Sequence, residues 1–143
     1  MTSRTLGLDP GERRIGVALS DPLGMIAQPH CVIDRRSQDV ATELRRIVAE
    51  EDVTRIVIGL PTSLDGQERA AALAARQFGV EVMDATGLEP VFADERFTTS
   101  VAERALIEGG VRRAERKLKR DKVAAAVMLQ GYLDSTGGAN DVS

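Results

Sequence analysis

The sequence predicts an α/β protein built on a mixed five-stranded sheet with helices on both faces. Two observations carry this. The chain begins with three short strand-like runs separated by tight turns, and then switches to alternating helical and strand periodicities. Its 143 residues fit one domain, expected over residues 1–134, with residues 135–143 as a disordered tail.

Arg4–Leu8 alternates in polarity and stops at Asp9-Pro10-Gly11, a strong turn signal. Arg14–Ser20 sets Ile15, Val17 and Leu19 on one face and Gly16 and Ala18 on the other. A second turn, Asp21-Pro22-Leu23-Gly24, leads into a strand over Ala27–Ile33. Three strands in such close succession imply an antiparallel meander. Ser37 or Asp39 can cap a helix that puts Val40, Leu44, Ile47 and Val48 on one face. "RIVIGLP", Arg55–Pro61, is the β-branched run of a strand covered on both faces. An alanine-rich helix follows over Gln67–Phe78, then a fifth strand over Pro90–Arg96, "PVFADER". Ser100 and Glu103 form a capping-box pattern for a helix ending at Gly109-Gly110. A last helix is expected from about Glu115 to Asp134. The order β-β-β-α-β-α-β-α-α is that of ribonuclease H-like folds.

Composition narrows the classes of function. A single cysteine, Cys31, excludes an internal disulfide and points to a reducing compartment. The first residues lack the apolar core of a signal peptide. The longest apolar run, Val123–Leu129, is far short of the ~20 residues that span a bilayer. A cytoplasmic protein without membrane association is expected, as a monomer or a homodimer. His30 is the only histidine and follows a proline in a strand-like stretch, which argues against a two-histidine metal site and a Ser-His-Asp triad, and Cys31 reads as core. No P-loop pattern occurs. Aromatic residues make up 3% of the chain, with no tryptophan, which argues against a base-stacking platform.

Three carboxylates sit in awkward places. Asp9 ends the first strand. Glu95 ends the fifth, on the face of Val91 and Ala93. Asp121 falls on the stripe of Leu118, Ala125, Met128 and Tyr132 in the last helix, directed at the sheet. Each has a structural alternative: a turn residue, a strand-end ion pair, a helix cap. The sheet can bring all three to one edge, where they could not all stay ionised without a cation. Hard oxygen donors select Mg²⁺ or Mn²⁺, and two such ions roughly 3.5–4 Å apart can activate water on a phosphodiester. The charge distribution agrees. "RRAERKLKRDK", Arg112–Lys122, holds seven basic and two acidic residues, so a local +5 sits in a chain of net −3 whose remainder carries −8. Arg112, Arg113, Arg116, Lys117, Lys119 and Arg120 of this run, with Arg13, Arg14 and Arg96 beside the acids, are candidate contacts to a phosphate backbone. Gly7 and Gly16 alternate onto the Asp9 side and are expected to leave room for a nucleic-acid backbone.

Four segments carry a family resemblance: "LGLDPGERRIGVALSD", "VIGLPTSLDG", "FADERFTT" and "RDKVAAAVMLQGYLD". In content, order and spacing they resemble the YqgF/RuvX family of Holliday-junction-resolvase-like proteins and pre-16S rRNA nucleases, from about Thr5 to Asp134. The resemblance implies a ribonuclease H-like fold. It implies Asp9, Glu95 and Asp121 as the acidic active-site positions, and a role in maturing the 5′ end of the small-subunit rRNA precursor. Where family members carry a glycine a few residues after "DG", this chain has "DGQERAA".

Three alternatives stand beside the rRNA nuclease. One is a resolvase of branched DNA, since metal–carboxylate chemistry does not read the 2′-hydroxyl. Another is a phosphotransferase, because "DPGERRIGVAL" looks like the first phosphate motif of the actin, sugar-kinase and heat-shock ATPase superfamily; such enzymes close two domains over ATP, and a single expected domain with no second Asp-x-Gly motif before a strand argues against it. The last is a non-catalytic rRNA-binding assembly factor whose acids serve structure.

Overall fold

A computed structural model describes residues 3–11, 13–60, 66–94 and 122–135. The strands are β1 (Arg4–Pro10), β2 (Arg14–Ser20), β3 (Ala27–Asp34), β4 (Val53–Leu60) and β5 (Val91–Asp94). Helix α1 (Val40–Glu50) joins β3 to β4, and α2 (Gly66–Thr86) lies between β4 and β5. Residues 122–135 are helical and are labelled α3. The sheet order is β3-β2-β1-β4-β5. The β1–β2 and β2–β3 pairs are antiparallel, whereas β1–β4 and β4–β5 are parallel. The mixed five-stranded sheet expected from the sequence is the one formed. Its hairpins supply the antiparallel half and its helical crossover the parallel half.

Strand alternation divides the side chains by size. On one face Leu6, Leu8, Ile15, Val17, Ile33, Ile56 and Ile58 pack against Leu44 and Ile47 of α1 and Phe78 and Val82 of α2. On the other, Ala18 and Val57 meet Ala125, Ala126, Met128, Leu129 and Leu133 of α3. Small strand residues let α3 approach closely. A Cβ on Gly7 would stand 2.9 Å from the Cβ of Leu129. This corrects the reading of Gly7 as space for a nucleic acid, because a helix already fills that space.

Several boundaries move for identifiable reasons. Helix α2 continues through Gly79 rather than ending at Phe78. Gly79 faces a ring: a Cβ there would lie 2.8 Å from Cζ of Phe92. The helix closes at Gly87, whose φ of 78° is the left-handed cap conformation, and Gly87 N–H donates to Met83 O at 2.8 Å. For α1, Asp39 and not Ser37 is the N-cap; its carboxylate accepts from Thr42 N–H at 3.2 Å. Strand β4 begins at Val53, two residues ahead of the expected start, after Asp52 turns the chain at φ 53°. Strand β1 extends through Asp9 to Pro10. The described part of α3 ends at Ser135, one residue past the expected end. The helix expected from Ser100, residues 115–121 and the tail from 136 onward lie outside the described residues.

The β2–β3 connection is held from two sides. The Asp21 carboxylate accepts from the N–H groups of Leu23, Met25 and Ile26 at 3.3, 2.7 and 2.8 Å. From α3, Gln130 Oε1 accepts from Ala27 N–H and its Nε2 donates to Met25 O, both at 2.9 Å. Cys31 is half-buried against the α1–α2 core, as expected, and burial pushes its thiol pKa up.

Candidate active site at the end of the central strand

Asp9 occupies the carboxyl end of β1, the middle strand of the sheet. The chain must turn just beyond it. Pro10 fixes φ, and Gly11 N–H donates to Arg14 O at 2.8 Å to close the hairpin. A Cβ on Gly11 would stand 2.8 Å from that same Arg14 oxygen, so the turn accepts only glycine. The sequence reading of Asp9 as a turn residue and as a presented acid are therefore compatible.

Alternation puts Asp9 on the face of Gly7, the α3 side. Asp9 pairs with Gly16 of β2. On its other flank, Gly59 of β4 follows Val57 on the same face and pairs with Ala93 of β5. Across the end of the sheet the row therefore runs Val32, Gly16, Asp9, Gly59, Ala93, with glycines on both strands that flank Asp9. Asp9 is its one functional side chain, and it is half-buried.

Helix α3 points toward this row. Leu129 lies over Gly7. Arg55 Nη1 donates to Tyr132 Oη at 3.4 Å, and Arg55 pairs with Thr5 at the start of β1. Later helix residues thus meet earlier strand residues. α3 runs antiparallel to β1, its amino-terminal end toward the Asp9 end of the sheet.

Of the residues singled out from sequence, Asp9, Arg13 and Arg14 share this one hairpin. Glu95, Arg96, Arg112, Arg113, Arg116, Lys117, Lys119, Arg120 and Asp121 lie outside the described residues. Among the described residues no three of His, Cys, Asp or Glu group together as metal ligands.

The structure adds two arginines that the sequence reading missed. The meander returns β3 to the same end, where Arg14 pairs with Asp34. Arg35 and Arg36 follow directly. Asp34 accepts from Arg36 N–H at 2.9 Å and stands 3.7 Å from Arg13 Nε. That backbone N–H, then Arg13 and Arg14, holds the Asp34 carboxyl below the usual range. The only sequence signal for Arg35 and Arg36 was their place just after a strand antiparallel to β2.

Comparison with known proteins follows the same lines. No helix among the described residues is long and apolar enough to cross a membrane. A solved structure of Thermus thermophilus RuvC in complex with a Holliday junction substrate superposes with a TM-score of 0.54 at 15% identity, covering 95% of this chain and 96% of that one. That likeness establishes the fold, which is ribonuclease H-like. A protein of Lactococcus lactis subsp. lactis named "Putative pre-16S rRNA nuclease" is 44% identical over 138 residues, 94% of this chain and 96% of the relative. One of the same name from Carboxydothermus hydrogenoformans is 43% identical over 132 residues, 92% of this chain and 96% of the relative. The family model described as "RuvX: Holliday junction resolvase" matches residues 3–135, and with that match over nearly the whole chain this protein belongs to the RuvX family.

Proposed function

We propose that this protein is an endonuclease that hydrolyses phosphodiester bonds at the 5′ end of pre-16S rRNA in the cytoplasm, with Asp9, Glu95 and Asp121 as its catalytic carboxylates. The observation that carries the reading is Asp9, a carboxylate presented at the end of the central strand with glycines on both flanking strands. Two covalent facts support adding the other acids. Glu95 follows immediately on Asp94, the last residue of β5, and lies two positions beyond Ala93 of that row. Asp121 immediately precedes Lys122, at the end of α3 that heads toward Asp9. The pre-16S substrate rests on relatives above 40% identity that carry that name.

The donor set fits Mg²⁺ or Mn²⁺. All three acids offer hard oxygen donors, and the residue paired with Asp9 on β2 is a glycine. When bound, such ions supply Lewis-acid polarisation of the phosphodiester and lower the pKa of water. The chain's own part is electrostatic and positional. The sheet fixes Asp9 and the β1–β2 turn as one unit, and arginines of that turn neutralise the approaching phosphates.

The family description favours a second substrate, a four-way DNA junction. One experiment addresses both: cleavage of a pre-16S transcript and of a synthetic four-way junction, with Mg²⁺, Mn²⁺ or EDTA. Metal-dependent cutting is expected, with a loss of at least about 100-fold in Asp9→Asn, Glu95→Gln and Asp121→Asn and with binding retained. Full cleavage by all three variants defeats the assignment. Binding without any cleavage by the wild-type protein would make it an assembly factor.

A further inference from the structure

We propose that the β1–β2 turn and the β3–α1 turn form one phosphate-backbone platform, in which Arg13 and Arg36 grip the substrate strand beside Asp9 and Arg35 braces them. This rests on the nucleic-acid reading above and names two residues, Arg35 and Arg36, for which nothing but their place in the fold speaks.

The two turns are a single mechanical unit. Arg35 N–H donates to Arg13 O at 2.8 Å, and Arg35 Nε donates to Gly11 O at 3.0 Å. Arg35 thus reaches across β2 to the turn that follows Asp9. Its guanidinium also lies 5.1 Å from the centroid of the Phe78 ring, which fixes its stem against the α1–α2 core. With Gly11 and Pro10 restricting the hairpin, the backbone carrying Arg13 is held rather than loose.

The charge of this unit is positive and accessible. The two turns carry Arg13, Arg35 and Arg36, and Asp34 is the carboxylate set between Arg13 and Arg36. That carboxylate is occupied: it accepts the Arg36 backbone N–H, and its approach to Arg13 is long, at 3.7 Å, with 52% of the Arg13 side chain exposed. An exposed pair of that length adds little. The next acid, Asp39, is engaged as the cap of α1. Arg36 is exposed. Glu12, in the same turn, lies outside the described residues.

The spacing fits a polyanion. Two strand intervals separate β1 from β3, which puts the end of β3 about 10 Å from Asp9 across the sheet. Charges at that distance meet phosphates adjacent to the one being cut, and not that one itself. The ring beside Arg35, Phe78, is buried in the core and cannot stack a base, so these arginines recognise backbone and not sequence. The same grip would serve RNA or DNA.

Salt-dependent binding tests this on the full chain. The probes are a labelled pre-16S 5′-leader transcript and a four-way DNA junction, titrated from about 50 to about 200 mM salt in EDTA. Arg36→Ala is expected to reduce the slope of log affinity against log salt by about 0.7–0.9, and Arg13→Ala with Arg36→Ala by about twice that. Arg46→Ala is the control. Arg46 pairs with Glu43 at 2.7 Å and Glu50 at 3.2 Å on α1, and its loss should leave the slope unchanged. A double variant with the wild-type slope overturns the platform, as does an equal loss in Arg46→Ala. Both leave the nuclease reading intact so long as the wild-type protein binds and cuts. A wild-type protein that binds neither probe overturns the nuclease reading, and the platform with it.

Discussion

Replacing Gly7 by alanine probes how tightly α3 is held against the central strand. The new methyl would stand 2.9 Å from Leu129 Cβ, 3.3 Å from its Cγ and 3.2 Å from its Cδ2. The first contact cannot be relieved by a side-chain rotation, because Cβ is fixed to the helix backbone, so α3 must move. Overpacking of this kind costs about 1–3 kcal/mol. Alanine in a strand recovers about 0.5–1 kcal/mol of the conformational entropy that glycine loses. Taking the middle of both ranges, the net is a destabilisation of about 1 kcal/mol, or a fall in Tm of about 2–4 °C for a chain of this size. Leu129→Ala removes Cγ and Cδ2, two of the three contacts, and by itself costs about 2–5 kcal/mol as a fully buried leucine. The double variant should therefore be less destabilised than the two single changes added together. Denaturant unfolding of all four proteins measures this. Since Asp9 is two residues along β1, about 7 Å away, the helix shift should also lower cleavage more than binding. A Gly7→Ala protein as stable as the parent, or more so, would refute the packing account.

Three other outcomes are expected. Gln130→Leu leaves the half-buried Ala27 N–H without its partner at 2.9 Å, a loss of about 1–3 kcal/mol that should appear as faster hydrogen exchange at Ala27 and a lower Tm. The Asp21 carboxyl is held below its usual range chiefly by the Ile26 N–H, with Met25 and Leu23 adding to it. A depressed folded-state pKa contributes stability above the unfolded value of about 3.9, and this is lost as pH falls through the folded one. Tm should thus drop below about pH 4, and Asp21→Asn should be less stable at pH 7 with a shallower acid slope; an unchanged slope counts against the turn's role. Finally, Asp9→Asn should raise Tm in EDTA by relieving repulsion among the acids and should abolish any rise on adding Mg²⁺. A metal-free variant that is destabilised would mark Asp9 as structural.

Local signals carried the antiparallel half of the sheet, because tight turns and short alternating runs define a meander without help from the rest of the chain. The acid at the end of β1 was legible for a similar reason: Asp9 follows the apolar and glycine run Leu6-Gly7-Leu8 and directly precedes a Pro-Gly turn. What failed depended on partners distant in sequence. Gly79 carries the mark of a helix stop, yet the ring of Phe92 packs on it and the helix runs on to Thr86. Gly7 announces that something approaches closely, but a ligand and a helix leave the same mark in one strand; only α3 decides between them. Ser37 and Asp39 are equal caps by type, and Thr42 selects the second. Nothing local singles out Arg35 and Arg36; it is the return of β3 that sets them beside the hairpin that follows Asp9.

The unequal faces of the sheet explain why the acid sits where it does. The α1–α2 face holds the large aliphatic side chains of every long strand, so most of the apolar burial lies there. The α3 face is built from Gly, Ala and a single Val on the central strands, which buries less but lets a helix backbone come close. A half-buried carboxylate is costly among large apolar groups and tolerable between glycines at the open end of the sheet, beside solvent and arginines. Placing Asp9 on the other register of β1 would direct it into the core of Leu6 and Leu8. On the reading proposed above, the fold separates stability from chemistry by strand parity: the close helix would fix the geometry around Asp9, and the strapped turns would supply positive charge beside it.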